Sequence, residues 1–206
     1  MAVLTAAVEG IVDEVVLRRV CGHAGVRIGI VYGRSGKNYV LSRLPGYNHS
    51  ARFRHWVVLL DLDNDAACAP EILPNWLPYP SHLMRLRIAV REVESWIIAD
   101  AQRLANFLGV PAHNIPSNPD GLADPKLAVV NISRASRSSA IREDMVPKPG
   151  SGQPVGPAYT SRMIEFLQDL NSGWRPDVAS LNSESLRKCI ASITELANED
   201  YPEAQS

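Results

Sequence analysis

Apolar positions along the first 110 residues fall into two alternating patterns, short dense runs and longer stretches with helical spacing. Residues 2–8 form such a run and predict a strand. Residues 11–20 follow with apolar side chains at 11, 12, 15, 16, 17 and 20, one face of a helix. A second run at 26–32 is rich in β-branched residues; after it, residues 33–36 make a polar, Gly-rich turn and the chain stays irregular or helical to about Arg54. Further strands are predicted at 55–60 and 83–90, and the stretch 65–76 between them is short and broken by Pro70 and Pro74. Residues 92–108 carry the pattern of one helix, ended by Gly109 and Pro111. Four strands separated by helical crossovers imply a parallel sheet.

Beyond Pro111 the pattern changes to loops and helices with no further clear strand. Asp124-Pro125 opens a helix to about Ile132, with Asp as N-cap and Pro in the first turn. Residues 147–157 are rich in Pro, Gly and Ser and predict a long mobile loop. Helices are expected at 159–170 and 183–197, and the tail 198–206 is expected to fray. The sequence thus predicts an α/β fold: a four-stranded parallel sheet flanked by helices in residues 1–110, and a loop-rich helical extension in 111–206 packed on that core.

Composition narrows the functional classes. A hydrophobic content of 46% in 206 residues is ample for a buried core. No apolar run approaches the ~20 residues of a membrane span, and the start lacks a basic leader, so a cytoplasmic protein with no membrane partner is expected. Cys21, Cys68 and Cys189 are odd in number and far apart, which points to buried reduced thiols. The five histidines are too scattered for a zinc site. A formal charge of −1 provides no global field for nucleic acid, so any polyanion must be held locally. Arginines at 52/54, 85/87/91 and 134/137/142 are candidate patches, although arginines at such spacings are usually just solvated surface. Gly33-Arg34-Ser35-Gly36-Lys37-Asn38 falls short of a phosphate loop: Val31 and Asn38 stand where Gly and Ser or Thr are needed. It predicts a connecting turn whose Arg34 and Lys37 are within reach of substrate phosphates.

Two acidic signatures sit where apolar runs stop. Glu9-Gly10 ends the first strand, with Asp13 in the first turn of the next helix; Asp61-Leu62-Asp63 ends the third strand, with Asp65 beyond. Alternate strand residues point the same way, so Asp61 and Asp63 are expected to grip one ion from one side. Carboxylates gathered at strand ends repel one another unless a proton or a hard divalent cation intervenes. Glu94 opens a helix directly after a strand and is a plausible extra ligand. Lys126, in the first turn of its helix, is placed to neutralise a phosphate or a leaving oxygen.

The combination of Glu9-Gly10-x-x-Asp13 with Asp61-x-Asp63 resembles the Toprim domain of topoisomerases, primases and nucleases, and is closest in spacing to the overcoming-lysogenization-defect nucleases. The run from Val90 to Asp100 and Asp124-Pro125-Lys126 look like markers of small stand-alone bacterial Toprim-like proteins, often encoded beside an ABC-type ATPase in a pairing associated with phage defence. The resemblance implies a Toprim-like (Rossmann-like) core and two Mg²⁺ or Mn²⁺ ions on Glu9, Asp13, Asp61 and Asp63. It further implies a nuclease acting on DNA or RNA with an ABC/AAA-type ATPase; Glu9, Asp61 and Asp63, joined by Lys126 from its place in the first turn of its helix, are expected to carry the chemistry. The competing expectation is a non-catalytic regulatory or assembly subunit of that ATPase. A haloacid-dehalogenase-type phosphatase ranks below both, since it expects Asp-x-Asp on the first strand and Thr or Val at position 65.

Overall fold

The computed structural model of the protein describes residues 2–199, which divide into two compact units, residues 2–90 with 187–199 and residues 91–186. The first boundary therefore falls some twenty residues before the one the sequence suggests, and the end of the chain counts with the first unit.

The first unit runs β1 (Val3–Val8), α1 (Ile11–His23), β2 (Arg27–Gly33), α2 (Lys37–Ser50), β3 (Trp56–Asp61), α3 (Ala69–Trp76) and β4 (Met84–Ala89). Its four strands are all parallel, in the order β2-β1-β3-β4, the α/β architecture with flanking helices that the apolar runs predict. All four strands lie within a residue or two of their expected limits. The middle pair explains why their runs are continuous rather than alternating: Leu4, Ala6, Ala7 and Val8 of β1 and Val57 to Leu60 of β3 are fully buried, so both faces of the sheet are covered.

On one face, α2 packs Val40, Leu44 and Tyr47 over Val58 and Leu60. Ala7 is small enough there for rings from either side to meet over the central strand. Trp56 stacks on Tyr47 at 4.9 Å between centroids and on Tyr32 at 5.6 Å. Helix α3 forms despite its prolines: Pro70 occupies the first turn, where a missing N–H costs nothing, and only Pro74 lies inside. Cys21 and Cys189 are buried as expected, but Cys68, just ahead of α3, is exposed. Within the tail, Glu199 is tied down, its carboxylate paired with Arg85 and its carbonyl 2.9 Å from His55 Nε2. The remainder of the frayed stretch expected at the C-terminus, 200–206, lies outside the described residues.

Gly33 shows how tightly β1 and β2 close. Its φ is +92°, and a Cβ there would overlap the Val8 carbonyl oxygen. Gly33→Ala is therefore expected to destabilise the fold by more than about 2 kcal/mol, as strain and overlap act together. Urea unfolding measures it; a loss below 0.5 kcal/mol, roughly the level of an ordinary surface change, would contradict this packing.

The second unit is helical: α4 (Val93–Ile98), α5 (Ala101–Leu108), α6 (Pro125–Arg134), α7 (Ser139–Met145), α8 (Tyr159–Gln168), α9 (Pro176–Ala179) and the start of α10 (Glu184–Ala197). Trp96, Trp174 and Phe166 are its largest buried side chains. Both indoles are satisfied: Trp174 Nε1 donates to the Trp96 carbonyl at 3.0 Å and Trp96 Nε1 to Ser185 Oγ at 2.6 Å. The single helix expected over 92–108 is two helices. Asp100 breaks it by leaving helical geometry (φ −92°, ψ 67°) and capping α5, where its side chain accepts from the Arg103 N–H. The short helices α7 and α9 have no counterpart in the sequence reading, each being too brief to show a period. No regular element interrupts 147–157. Among the described residues no helix is long and apolar enough to cross a membrane.

Candidate functional site

Strand order puts a switch point between β1 and β3. The chain leaves β1 for β2 on one side, then returns across to β3 on the other, and in such sheets the crevice opens at the carboxyl ends of those two strands. Glu9 and Asp61 stand at those two ends. Val8 pairs with Leu59 in register, which brings the Glu9 side chain alongside the end of β3. There Glu9 Oε1 accepts the Asp61 backbone N–H at 2.7 Å. Gly10 then caps α1, and a Cβ at that position would stand 3.0 Å from Asp13 Oδ2. The bare glycine thus leaves room for Asp13, buried in the first turn of α1, to fold back over the turn.

Burial pushes the Glu9 carboxyl up to about 7; the Asp61 N–H and Lys37 oppose the shift, while Asp13 and Asp63 add to it. Glu9 is thus poised to hold or release a proton near neutrality, and its neighbours are anionic enough to repel it. Asp61 is buried and ends the strand. Asp63 does not continue it: Leu62 is fully buried, and the chain turns at Asp63 with φ 48°, a left-handed conformation that Asp tolerates better than most residues. The alternation expected to align Asp61 with Asp63 therefore ends one residue too soon.

Lys37, at the start of α2, is the residue the sequence reading placed elsewhere. Its Nζ lies 2.5 Å from Asp63 Oδ2 and 2.7 Å from Asp65 Oδ2, and 5.7 Å from the centre of the Trp76 ring. Partial burial pulls its pKa down, but the bonds to Asp63 and Asp65 outweigh that and hold the ammonium above its ordinary value. Arg34 is likewise engaged, 2.9 Å from Glu14 Oε2. Neither side chain of the Gly-rich turn is idle and waiting for phosphate. The signal for Lys37 was a Gly-Lys pair just after a strand, where sequence cannot tell a phosphate contact from an internal counter-ion.

Glu94 and Lys126 form a group of their own in the second unit. Glu94 is 2% exposed in the first turn of α4, and Tyr159 Oη donates to its Oε1 at 3.2 Å. Burial, then the Glu94 charge, pushes the Tyr159 phenol well above its usual value. Lys126 Nζ sits 3.3 Å from Glu92 Oε1 and 3.8 Å from Glu94 Oε1, and its backbone N–H donates to Glu92 Oε2 at 2.8 Å. Asp124 caps α6 by accepting the Leu127 N–H at 2.7 Å, as its position before Pro125 predicts. Glu92 and Tyr159 belong to this group although neither was selected as a site residue from the sequence.

Among the described residues no group of three or more His, Cys, Asp or Glu side chains stands assembled as a metal site. The chemistry of the donors at the switch point nonetheless suits a hard divalent ion. All are carboxylates, and two neighbours raise the Glu9 pKa by repulsion that a cation would reverse. No known protein family, curated protein or solved structure matches the chain.

Proposed function

We propose that the protein is a Mg²⁺- or Mn²⁺-dependent phosphodiesterase acting on nucleic acid, of the Toprim-like type that its acidic signatures resemble. The observation that carries this reading is the meeting of Glu9 with the end of β3 at the switch point, flanked by Asp13 and Asp63. Glu9, Asp13, Asp61 and Asp63 would hold the metal. A bound divalent ion supplies Lewis-acid stabilisation and acidifies water. Glu9 is the candidate proton acceptor, and the Asp61 N–H keeps its carboxylate oriented. Lys37 keeps Asp63 and Asp65 in place. The resemblance also supports an ABC/AAA-type ATPase as partner and a role in defence against phage. End-labelled DNA and RNA incubated with Mg²⁺ or Mn²⁺, with and without that ATPase, test the reading: cleavage lost in Asp61→Asn is expected, and absence of cleavage under all conditions would overturn it.

One observation favours a second reading, a non-catalytic subunit of the ATPase. Lys37 already provides positive charge to Asp63 and Asp65, so these acids are stable without a metal. Lys37→Met separates the two. In the hydrolase, removal of a competing positive charge is expected to tighten Mn²⁺ binding about tenfold, a change of roughly 1.4 kcal/mol. In the assembly subunit, whose acids serve metal-stabilised folding or docking, neither wild type nor variant cleaves nucleic acid in Mn²⁺, and the variant loses only stability, about 1 kcal/mol for a half-exposed pair.

A further inference from the structure

From Val15 to Leu60 the sequence contains no Asp or Glu and eight Lys or Arg, although the whole chain is nearly neutral. Helix α2 lies in this stretch and turns one face outward. Tyr39 (37% exposed) and Arg43 are one helical turn apart, the guanidinium 3.6 Å from the ring centre. Farther along, His49 meets Phe53, which is 68% exposed, edge-on at 6.3 Å, and its sequence neighbours Arg52 and Arg54 are both exposed. Position 46, between the two pairs, is an exposed glycine with nothing within 4 Å of where a Cβ would stand.

Cations interleaved with exposed rings suit one polyanion in particular. A single strand offers phosphates to the guanidinium groups and unstacked bases to the aromatic faces, whereas a duplex keeps its bases stacked and shows these rings nothing to cover. An acidic protein surface would satisfy the arginines and leave Phe53 in water. The face also leads somewhere: α2 is fourteen residues long, about 21 Å, and begins at Lys37, which is bonded to Asp63 and Asp65.

We propose that the exposed side of α2 together with the turn after it, carrying Tyr39, Arg43 and His49 and then Arg52, Phe53 and Arg54, is a track for single-stranded nucleic acid leading to the acidic site. What becomes of the strand rests on the phosphodiesterase reading; its binding does not. Fluorescence anisotropy with labelled 20-nucleotide oligo-dT and oligo-U, in EDTA over a salt series and against a hairpin duplex, tests the track. The Tyr39→Ala/Phe53→Ala variant is expected to bind the single strands at least about tenfold more weakly. The Arg43→Ala/Arg52→Ala/Arg54→Ala variant is expected to lower the salt dependence of log K by about 2, near 0.7 for each lost phosphate contact. No binding of either strand at 50 mM salt, affinities unchanged in both variants, or a duplex preference that ignores the aromatic changes would each overturn the track. Cleavage is read separately with Mg²⁺. Binding without cleavage sinks the hydrolase reading and leaves the track, whereas cleavage with binding untouched by either variant does the reverse.

Discussion

Glu9→Gln is expected to abolish nucleic-acid cleavage while making the metal-free protein more stable at alkaline pH. The activity follows from position. Glu9 is the carboxylate at the end of the central strand, and loss of a group serving as ligand and proton acceptor lowers kcat/KM by about 10²–10⁴-fold. Glutamine keeps an oxygen to accept the Asp61 N–H, so the turn itself should survive. The stability gain follows from burial, with help from Asp13 and Asp63. With the carboxyl raised from 4.5 to about 7, the folded state holds a proton that the unfolded chain releases. The stability associated with that proton is fully present below pH 4.5 and is lost as pH rises through about 7. Glutamine is neutral at every pH and escapes the loss. The variant's advantage should grow across that window and level off above it at about 1–2 kcal/mol, allowing for solvent screening at a partly open site. Urea unfolding in EDTA at pH 5 and pH 8 measures it; an advantage that is constant or larger at pH 5 would contradict the burial of Glu9.

Arg175→Ala is expected to be the most damaging change away from the acids. Asp100 is 0% exposed, and its carboxylate takes Arg175 Nη2 at 2.8 Å and Nε at 3.0 Å, besides the Arg175 backbone N–H at 3.0 Å. Deleting the guanidinium strands a buried charge, which costs about 3–5 kcal/mol in such pairs; the surviving backbone donors put this case near 3. In a chain of this size that lowers Tm by roughly 6–12 °C. Asp100→Asn should cost less, because it leaves a neutral amide inside and a half-exposed arginine outside. A Tm within about 2 °C of wild type for Arg175→Ala, less than the shift of one kcal/mol, would show that the pair carries no such load.

Asp100 also shows why the sequence was only partly legible. Apolar spacing continues across it from Val93 to Leu108, so periodicity joined two helices; what separates them is a carboxylate whose partner, Arg175, lies 75 residues away. The sheet raised no such difficulty. Strands buried on both faces show as unbroken apolar runs, and β1 and β3 could be found from Val3 to Val8 and from Trp56 to Leu60 alone. Glu9 was legible for the same reason, being the first charge after such a run. Asp63 was not: one left-handed residue uncouples it from the strand, and a single φ leaves no trace in a hydrophobic pattern. Lys37 was hidden by distance, its partners Asp63 and Asp65 lying beyond the next strand.

The central claim is that the acids at the switch point hold a divalent ion. Calorimetric titration of Mn²⁺ into the wild-type protein and into Asp61→Asn tests it most directly, with no need to know the substrate. Saturable binding to wild type that Asp61→Asn abolishes is the predicted result; no binding to either protein, or equal binding to both, would contradict it.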